Sequence, residues 1–260
     1  MSILEQITSY KKQEVAARKL AFPISVLEQS LYFSIETNSM TDALRNSKTG
    51  IIAEHKRRSP SKAVINDKIL LPEVVLGYKK AQAAVISVLT DTKFFGGSLD
   101  DLLLARQCVS TPLLRKEFIV DPYQIYEAKA YGADAILLIA ACLSEKQIRE
   151  YSSLAKELKL DVLLEVHNSE ELKKSLHDTV DMLGVNNRNL NTFEVSIEIS
   201  KKLSVAIPDD FIKVSERGIS SIKTIKELKP FGFKGFLIGE HFMKTERPGE
   251  SALEFIQQLS

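Results

Sequence analysis

Short apolar runs of β type recur along the chain, with helically spaced stretches between them. Eight of them read as strands: "IIAEHK" (51–56), "AAVISVLT" (83–90), "PLLRKEF" (112–118), "DAILLIA" (134–140), "DVLLEVH" (161–167), "VDMLGVN" (180–186), "FIKVSE" (211–216) and "GFLIGE" (235–240). Most are near-continuously aliphatic rather than alternating, the mark of strands buried on both faces. Their spacing, roughly 20–35 residues, suits a strand followed by a crossover helix. Three intervening segments carry helix signals: "YQIYEAKAYGA" with Gly132 as a stop, "SEKQIREYSSLAKELK" with Ser144 as N-cap, and "SEELKKSLHD" with its Ser-Glu-Glu opening. Eight such alternations predict an α/β fold, a single (β/α)8 TIM barrel. A doubly wound open sheet is the alternative, but it usually has fewer strands, and no Gly-x-Gly-x-x-Gly follows the first run. Residues 1–48 are expected to form an N-terminal helical extension and 49–260 the barrel. In "ILEQITSYKKQEVAARK", Ile3, Leu4, Ile7 and Tyr10 lie along one side and Pro23 ends the segment. That side predicts packing on the barrel, over its bottom or across its mouth.

Composition narrows the function classes. Of 260 residues, 44% are hydrophobic and 27% charged, ordinary values for a globular chain. Lys and Arg number 35 against 34 Asp and Glu, so the basic excess of a nucleic-acid binder is missing. Cys108 and Cys142 show no C-x-x-C spacing, which argues against a disulfide scaffold or structural zinc and for two reduced, packed thiols. The charged N-terminus lacks a signal-peptide core, and no window of about 18 uninterrupted apolar residues exists to span a membrane. A cytoplasmic location is expected.

Barrel enzymes build their sites at the C-terminal ends of the strands. The first run ends in Glu54 and Lys56, the third in Lys116 and Glu117, the fifth in Glu165, and the sixth in Asn186 and Arg188. Strand alternation puts Glu54, Lys56 and Arg58 on one face, with His55 and Arg57 on the other. A solvated rim or a structural ion pair would account for any one of these residues. Two lysines and two glutamates converging on one apolar-walled mouth would instead perturb one another and separate acid from base roles. "SERGIS" and "LIGEHF" each bring a Gly to a strand end before a helix start, a suitable anion site.

The chain resembles the indole-3-glycerol phosphate synthase family through "IIAEHKRRSPSK", "VLTDTKFFGGSLDDL", "PLLRKEFIVDPYQIYEAKAYGADAILLI", "LLEVHN", "LGVNNRNL", "SERGI" and "LIGEHFM", in that order. The resemblance implies a lyase of tryptophan biosynthesis that closes the ring of 1-(2-carboxyphenylamino)-1-deoxyribulose 5-phosphate. Carbon dioxide and water leave, and no metal or organic cofactor takes part. It implies Lys116 as the acid at the carbonyl oxygen. Glu165 and Lys56 then serve the later steps with Glu54 orienting them, and the choice of carboxylate base stays open. Asn186 is implied to bond the sugar hydroxyls or Glu54, and Arg188 the anthranilate carboxylate. Phe95 and Phe118 are implied to sandwich the aryl ring, with core packing as the alternative for Phe94.

Gly218, Gly239 and Glu240 are implied to bind the phosphate through backbone N–H groups, with Arg58 or Ser59 closing over it from a mobile "RRSPSK" loop. Glu216 and Arg217 join the substrate-binding set. Arg217 stands where the family usually has Ser, to supply a phosphate cation or to crowd the site. His55, expected to be a satisfied structural histidine facing the helices, His241 and Phe242 also depart from the usual pattern. The expected partner is a small phosphorylated molecule, with other tryptophan-pathway enzymes as further candidates and neither nucleic acid nor membrane. Another phosphate-binding barrel enzyme, such as phosphoribosylanthranilate isomerase, or a non-catalytic phosphate-binding barrel are the alternatives.

Overall fold

Parallel strands β1 (Ile51–His55), β2 (Val85–Leu89), β3 (Leu113–Lys116), β4 (Ala135–Ile139), β5 (Asp161–Val166), β6 (Met182–Asn186), β7 (Ile212–Glu216) and β8 (Phe233–Ile238) close into a barrel in chain order. The computed structural model describes residues 2–189 and 194–259; Leu190, the last residue of "LGVNNRNL", lies outside them. Helices between consecutive strands cover the outside, the arrangement of a (β/α)8 barrel.

Alternation along each strand sorts side chains into two cores. Ile52, Val85, Leu114, Leu137, Leu163, Met182, Val214 and Leu237 fill the barrel. Ile51, Ala53, Val88, Ile136, Leu164 and Val185 instead pack against the helices, where they meet Val74, Leu102, Ala128, Ile148 and Ile225.

The extension occupies both of the places expected for it. Helix α1 (Ile3–Ala21) opens with a capping box in which Ser2 and Glu5 satisfy each other's backbone donors. It lies beside the mouth: Ile7 packs with Leu89 and Phe95, and Val15 with Tyr123 and Ala130. Pro23 begins the short helix α2 (Ile24–Leu27). Helix α3 (Met40–Asn46) closes the opposite end, where buried Met40 and Leu44 join the barrel interior. Full burial of an aliphatic side chain is worth about 1.5–3 kcal/mol, so each plug contributes to closure.

Two element ends differ from the sequence reading. β8 runs over Phe233–Ile238 rather than 235–240, because Gly239 leaves the sheet to cap the helix Glu240–Met243. After β5 the N-cap is Asn168, whose side chain accepts the Glu171 N–H, so Ser169 is the first helical residue. Gly132 takes the left-handed conformation, φ +82°, after the helix Tyr123–Ala130 as expected of a stop. Cys108 and Cys142 are both free, and burial pushes the Cys142 thiol up to about 12. Among the described residues no helix is long and apolar enough to cross a membrane.

Candidate active site

At the C-terminal end of the barrel lies a cavity of about 710 Å³, within the range of small-molecule sites. Glu54 and Lys56 enter it from β1 as an ion pair, with Nζ 2.8 Å from Oε1. Lys116 enters from β3 and reaches across to two carboxylates. Its Nζ lies 2.6 Å from Glu216 Oε2 on β7 and 3.5 Å from Glu165 Oε2 on β5. Glu216 is 1% exposed.

Two glycines make room for these acids. A Cβ on Gly184 of β6 would stand 2.4 Å from Glu216 Oε1, and one on Gly239 would stand 2.5 Å from Glu54 Oε1. Neither position admits a side chain without displacing a carboxylate.

Burial and neighbouring charge split chemically identical groups. Burial alone would depress the Lys116 ammonium, but Glu216, Glu165 and Glu54 outweigh it and hold its pKa above the ordinary lysine value. Lys56 falls below its ordinary value: burial dominates, Glu54 offsets only part, and Arg217 and Lys116 add repulsion. Among the acids, burial raises Glu216 to about 7, opposed by Lys116 and assisted by Glu165. For Glu165 burial is overcome by Lys116, His167 and Asn186, which bring it down to about 2. Glu54 is likewise held low against burial by Lys56, Lys116 and Arg217. The cavity thus holds one firmly charged and one easily deprotonated lysine, with acids of opposite tendency.

Every residue expected in the site lines this cavity except Arg58. The Arg58 guanidinium donates to the carbonyl oxygens of Thr92 and Lys93 at 2.8 and 3.0 Å, and Arg57 pairs with Asp101 at 2.6 and 2.8 Å. β1 ends at His55, so the alternation that grouped Arg58 with Glu54 does not continue that far. Both arginines turn toward the loop after β2, whereas the glycine corner lies on the β7–β8 side of β1. Ser59 does face the cavity and pairs with Lys62 in a small antiparallel bridge. The loop also meets the far rim through Lys62 Nζ, 2.9 Å from Glu240 Oε1, and through Ser61 Oγ, which accepts from Arg188 at 3.4 Å.

Three further expectations are corrected. Phe95 and Phe118 line the cavity, but their ring centroids are only 5.8 Å apart at 36°. They touch each other, which leaves no gap for a ring between them, and form one wall instead of a sandwich. Phe94 lies outside that wall, edge-on to Tyr10 at 6.0 Å. Asn186 bonds Glu165 rather than Glu54, while its Oδ1 accepts the Arg188 N–H at 3.0 Å. His55 faces outward as expected, yet neither ring nitrogen has a hydrogen-bond partner among the described residues; burial and then Arg57 lower it to about 4, so the ring is neutral.

At the glycine corner, Arg217 and Gly218 both adopt left-handed backbone, φ +69° and +72°, a conformation costly for any residue but glycine. Arg217 lines the cavity, and its charge is felt by Glu54, Lys56, Arg188 and Glu240.

The sequence reading passed over one group at the site and one beside it. His167 stands two residues beyond Glu165, just past the end of β5, and lines the cavity; the i, i+2 relation to Glu165 was the available signal. Lys11, one turn past Ile7 on α1, is 1% exposed and lies 3.0 Å from Asp91 and 3.2 Å from Glu117. Among the described residues no group of three or more His, Cys, Asp or Glu could hold a metal ion.

Comparison with known proteins gives a consistent result. The family model described as "Indole-3-glycerol phosphate synthase" matches residues 4–255. A protein of that name from Bacteroides thetaiotaomicron is 47% identical over 257 residues, covering 99% of this chain and 98% of its own. Namesakes from Delftia acidovorans (42% identical, 96% and 97% covered) and Aliarcobacter butzleri (41% identical, 99% and 100% covered) are similar over comparable lengths. Among solved structures, a mutant tryptophan synthase alpha-subunit from Pyrococcus furiosus superposes with a TM-score of 0.61. It is 16% identical and is covered to 97%, with 81% of this chain covered, a likeness of fold alone.

Proposed function

The chain belongs to the indole-3-glycerol phosphate synthase family, and from that premise we propose that it closes the indole ring of 1-(2-carboxyphenylamino)-1-deoxyribulose 5-phosphate. The observation that carries this reading is the Lys116 ammonium, set between Glu216 at 2.6 Å and Glu165 at 3.5 Å inside an apolar-walled cavity.

As the aryl carbon bonds to C2′, the carbonyl oxygen becomes an alkoxide, which Lys116 stabilises and protonates. Loss of carbon dioxide returns the bonding electrons to the ring. The C2′ hydroxyl then leaves as water with a proton from Lys56, the lysine whose depressed pKa makes it the readier donor. Glu165, which stays ionised, takes the remaining proton. Glu216 holds Lys116 in place, and Glu54 does the same for Lys56. Arg188 pairs with the substrate carboxylate and the Phe95–Phe118 wall covers one side of the aryl ring. The phosphate lies against the N–H groups of Gly218, Gly239 and Glu240, with Arg217 adding a cation.

An indole-fluorescence assay with this substrate tests the reading. Wild type is expected to form product, while Lys116→Ala, with unchanged circular dichroism, loses activity by at least 10²-fold, the lower range for a positioned acid. Folded wild-type protein that forms no product would overturn the proposed reaction. An active Lys116→Ala would overturn the role of the lysine.

A further inference from the structure

Asn186 faces the cavity, and the residue after it turns the other way. Asn187 is 0% exposed and lies among the ends of β6 and β7 and the helix Glu198–Ser204. Each of its polar atoms is bonded. The backbone N–H donates to the Glu216 carbonyl oxygen and the backbone carbonyl accepts the Ser196 N–H, both at 2.9 Å. Side-chain Nδ2 donates to the Arg217 carbonyl oxygen at 3.0 Å and to Ser215 Oγ at 2.9 Å. Oδ1 accepts the backbone N–H and the hydroxyl of Ser200, at 3.2 and 2.8 Å.

Donor counting fixes the direction of these bonds. The single Ser200 hydroxyl hydrogen goes to Oδ1, so the 2.9 Å contact between the Ser200 and Ser215 hydroxyls is donated by Ser215. A closed ring therefore runs from Nδ2 through Ser215 and Ser200 back to Oδ1. Turning the amide over would set its oxygen against the Arg217 carbonyl and its nitrogen against the Ser200 N–H, so only one orientation is allowed. The Ser200 N–H belongs to the first turn of a helix whose N-cap, Ile197, makes no side-chain bond to it, and Asn187 fills that place.

This ring holds the backbone on either side of Arg217. The Asn187 N–H fixes the peptide before Arg217, and Nδ2 fixes the peptide after it. Two planar peptides set in space define the φ and ψ of the residue between them. Arg217 is thereby kept at φ +69°, although its Cβ disfavours left-handed backbone. In a trans peptide the C=O and N–H point in opposite directions, and no described peptide bond is cis. With the Arg217 oxygen turned inward to Asn187, the Gly218 N–H points the other way, where Gly218 lines the cavity. That N–H has no partner among the described residues.

On the reading of this corner as the phosphate site, we propose that Asn187 is a positioning residue for the substrate: it pins Arg217 in left-handed backbone and so aims the Gly218 N–H at the phosphate. Asn187 itself touches no substrate and acts through the Arg217 carbonyl. The donor is then set before the anion arrives, so binding does not bear the cost of ordering it.

Arg217–Gly218 is the one Arg-Gly pair in the sequence, and Ile238–Gly239 the one Ile-Gly pair. Labelling arginine or isoleucine carbonyls together with glycine nitrogens therefore isolates each amide by NMR. Inorganic phosphate is expected to shift both amides in wild type. In Asn187→Ala the Gly218 amide should cease to respond while Gly239 still does, a pattern that general loosening of the fold would not give. Loss of one hydrogen bond to a charged group corresponds to about tenfold in affinity, so the phosphate Kd and the substrate KM should each rise by about that factor. Binding lost equally from ground and transition states appears in KM, so kcat should stay within about threefold. Asn187→Ser keeps a hydroxyl for Ser200 and is too short to reach the Arg217 carbonyl, so it should reproduce the pattern with a smaller fall in Tm. A folded variant whose Gly218 amide responds as in wild type, at an unchanged phosphate Kd, overturns the proposal. Where neither variant folds, hydrogen exchange in wild type decides: slow exchange of the Asn187 side-chain amide supports the ring, and exchange as free as in an exposed asparagine overturns it. A wild-type Gly218 amide unmoved by saturating phosphate overturns the phosphate reading, and this proposal with it, before any variant is made. Absence of product overturns the reaction alone, since the phosphate titration needs no turnover.

Discussion

Replacing Gly184 by alanine should slow the enzyme through Glu216, the carboxylate that holds Lys116. The added Cβ would lie 2.4 Å from Glu216 Oε1, and ordinary contacts of this kind begin near 3.4 Å, so the carboxylate must retreat by about 1.0 Å, the difference between the two. Glu216 is 1% exposed and has no solvent to swing into, so the retreat lengthens its 2.6 Å contact with Lys116. A hydrogen bond to a charged group is worth about 1.5–3 kcal/mol. At about 1.4 kcal/mol per decade, its loss corresponds to about 10–100-fold in kcat. Overpacking should cost a further 1–3 kcal/mol of stability. The assay is indole fluorescence at saturating substrate, with thermal unfolding followed in parallel. Glu216→Asp, one methylene shorter, relieves the clash, so the two substitutions together should cost less than the sum of each alone. Gly184→Ala with wild-type kcat and Tm would refute the steric argument.

Other predictions concern charge. Glu216 has a folded pKa of about 7, above the usual 4.5, so its contribution to stability is complete below pH 4.5 and is lost as pH rises through 7. About 2.5 units correspond to about 3 kcal/mol, so Glu216→Gln should unfold at a higher temperature than wild type at pH 8, with the difference vanishing near pH 4.5; equal Tm values at pH 8 would contradict it. Lys11→Met leaves Asp91 and Glu117 buried beside each other without their cation, and should cost about 3–5 kcal/mol in urea unfolding. Arg58→Ala should leave inhibition by inorganic phosphate within about twofold of wild type, because its guanidinium binds carbonyls of the loop after β2; a tenfold loss of inhibition would put it back at the phosphate corner.

Local pattern carried most of the architecture. Aliphatic runs and helical spacing mark all eight strands, and alternation within "IIAEHK" puts Glu54 and Lys56 on the cavity side. What escaped was set by contacts between distant segments. Nothing in "EHKRRSP" shows that the strand stops at His55, which frees Arg58 to turn toward Thr92. Asn168 and Ser169 are both good N-caps, and only backbone geometry chose the first. Phe95 and Phe118 come from different strand ends, so their mutual contact, and the loss of a slot between them, appears only once β2 and β3 are paired. The bond from Asn186 to Glu165 crosses from β6 to β5 in the same way.

The position of α1 also bears on how the chain is made. This helix is synthesised well before the partners of its buried face: Arg18 pairs with Glu127, 109 residues downstream. At a ribosomal rate of about 5–20 residues per second, α1 waits roughly 5–20 s before its docking surface exists. Until then Lys11 has neither Asp91 nor Glu117, and burying it alone would strand a charge. This early segment of the nascent chain is thereby kept solvated until β2 and β3 have formed, and one wall of the substrate mouth is assembled late in folding.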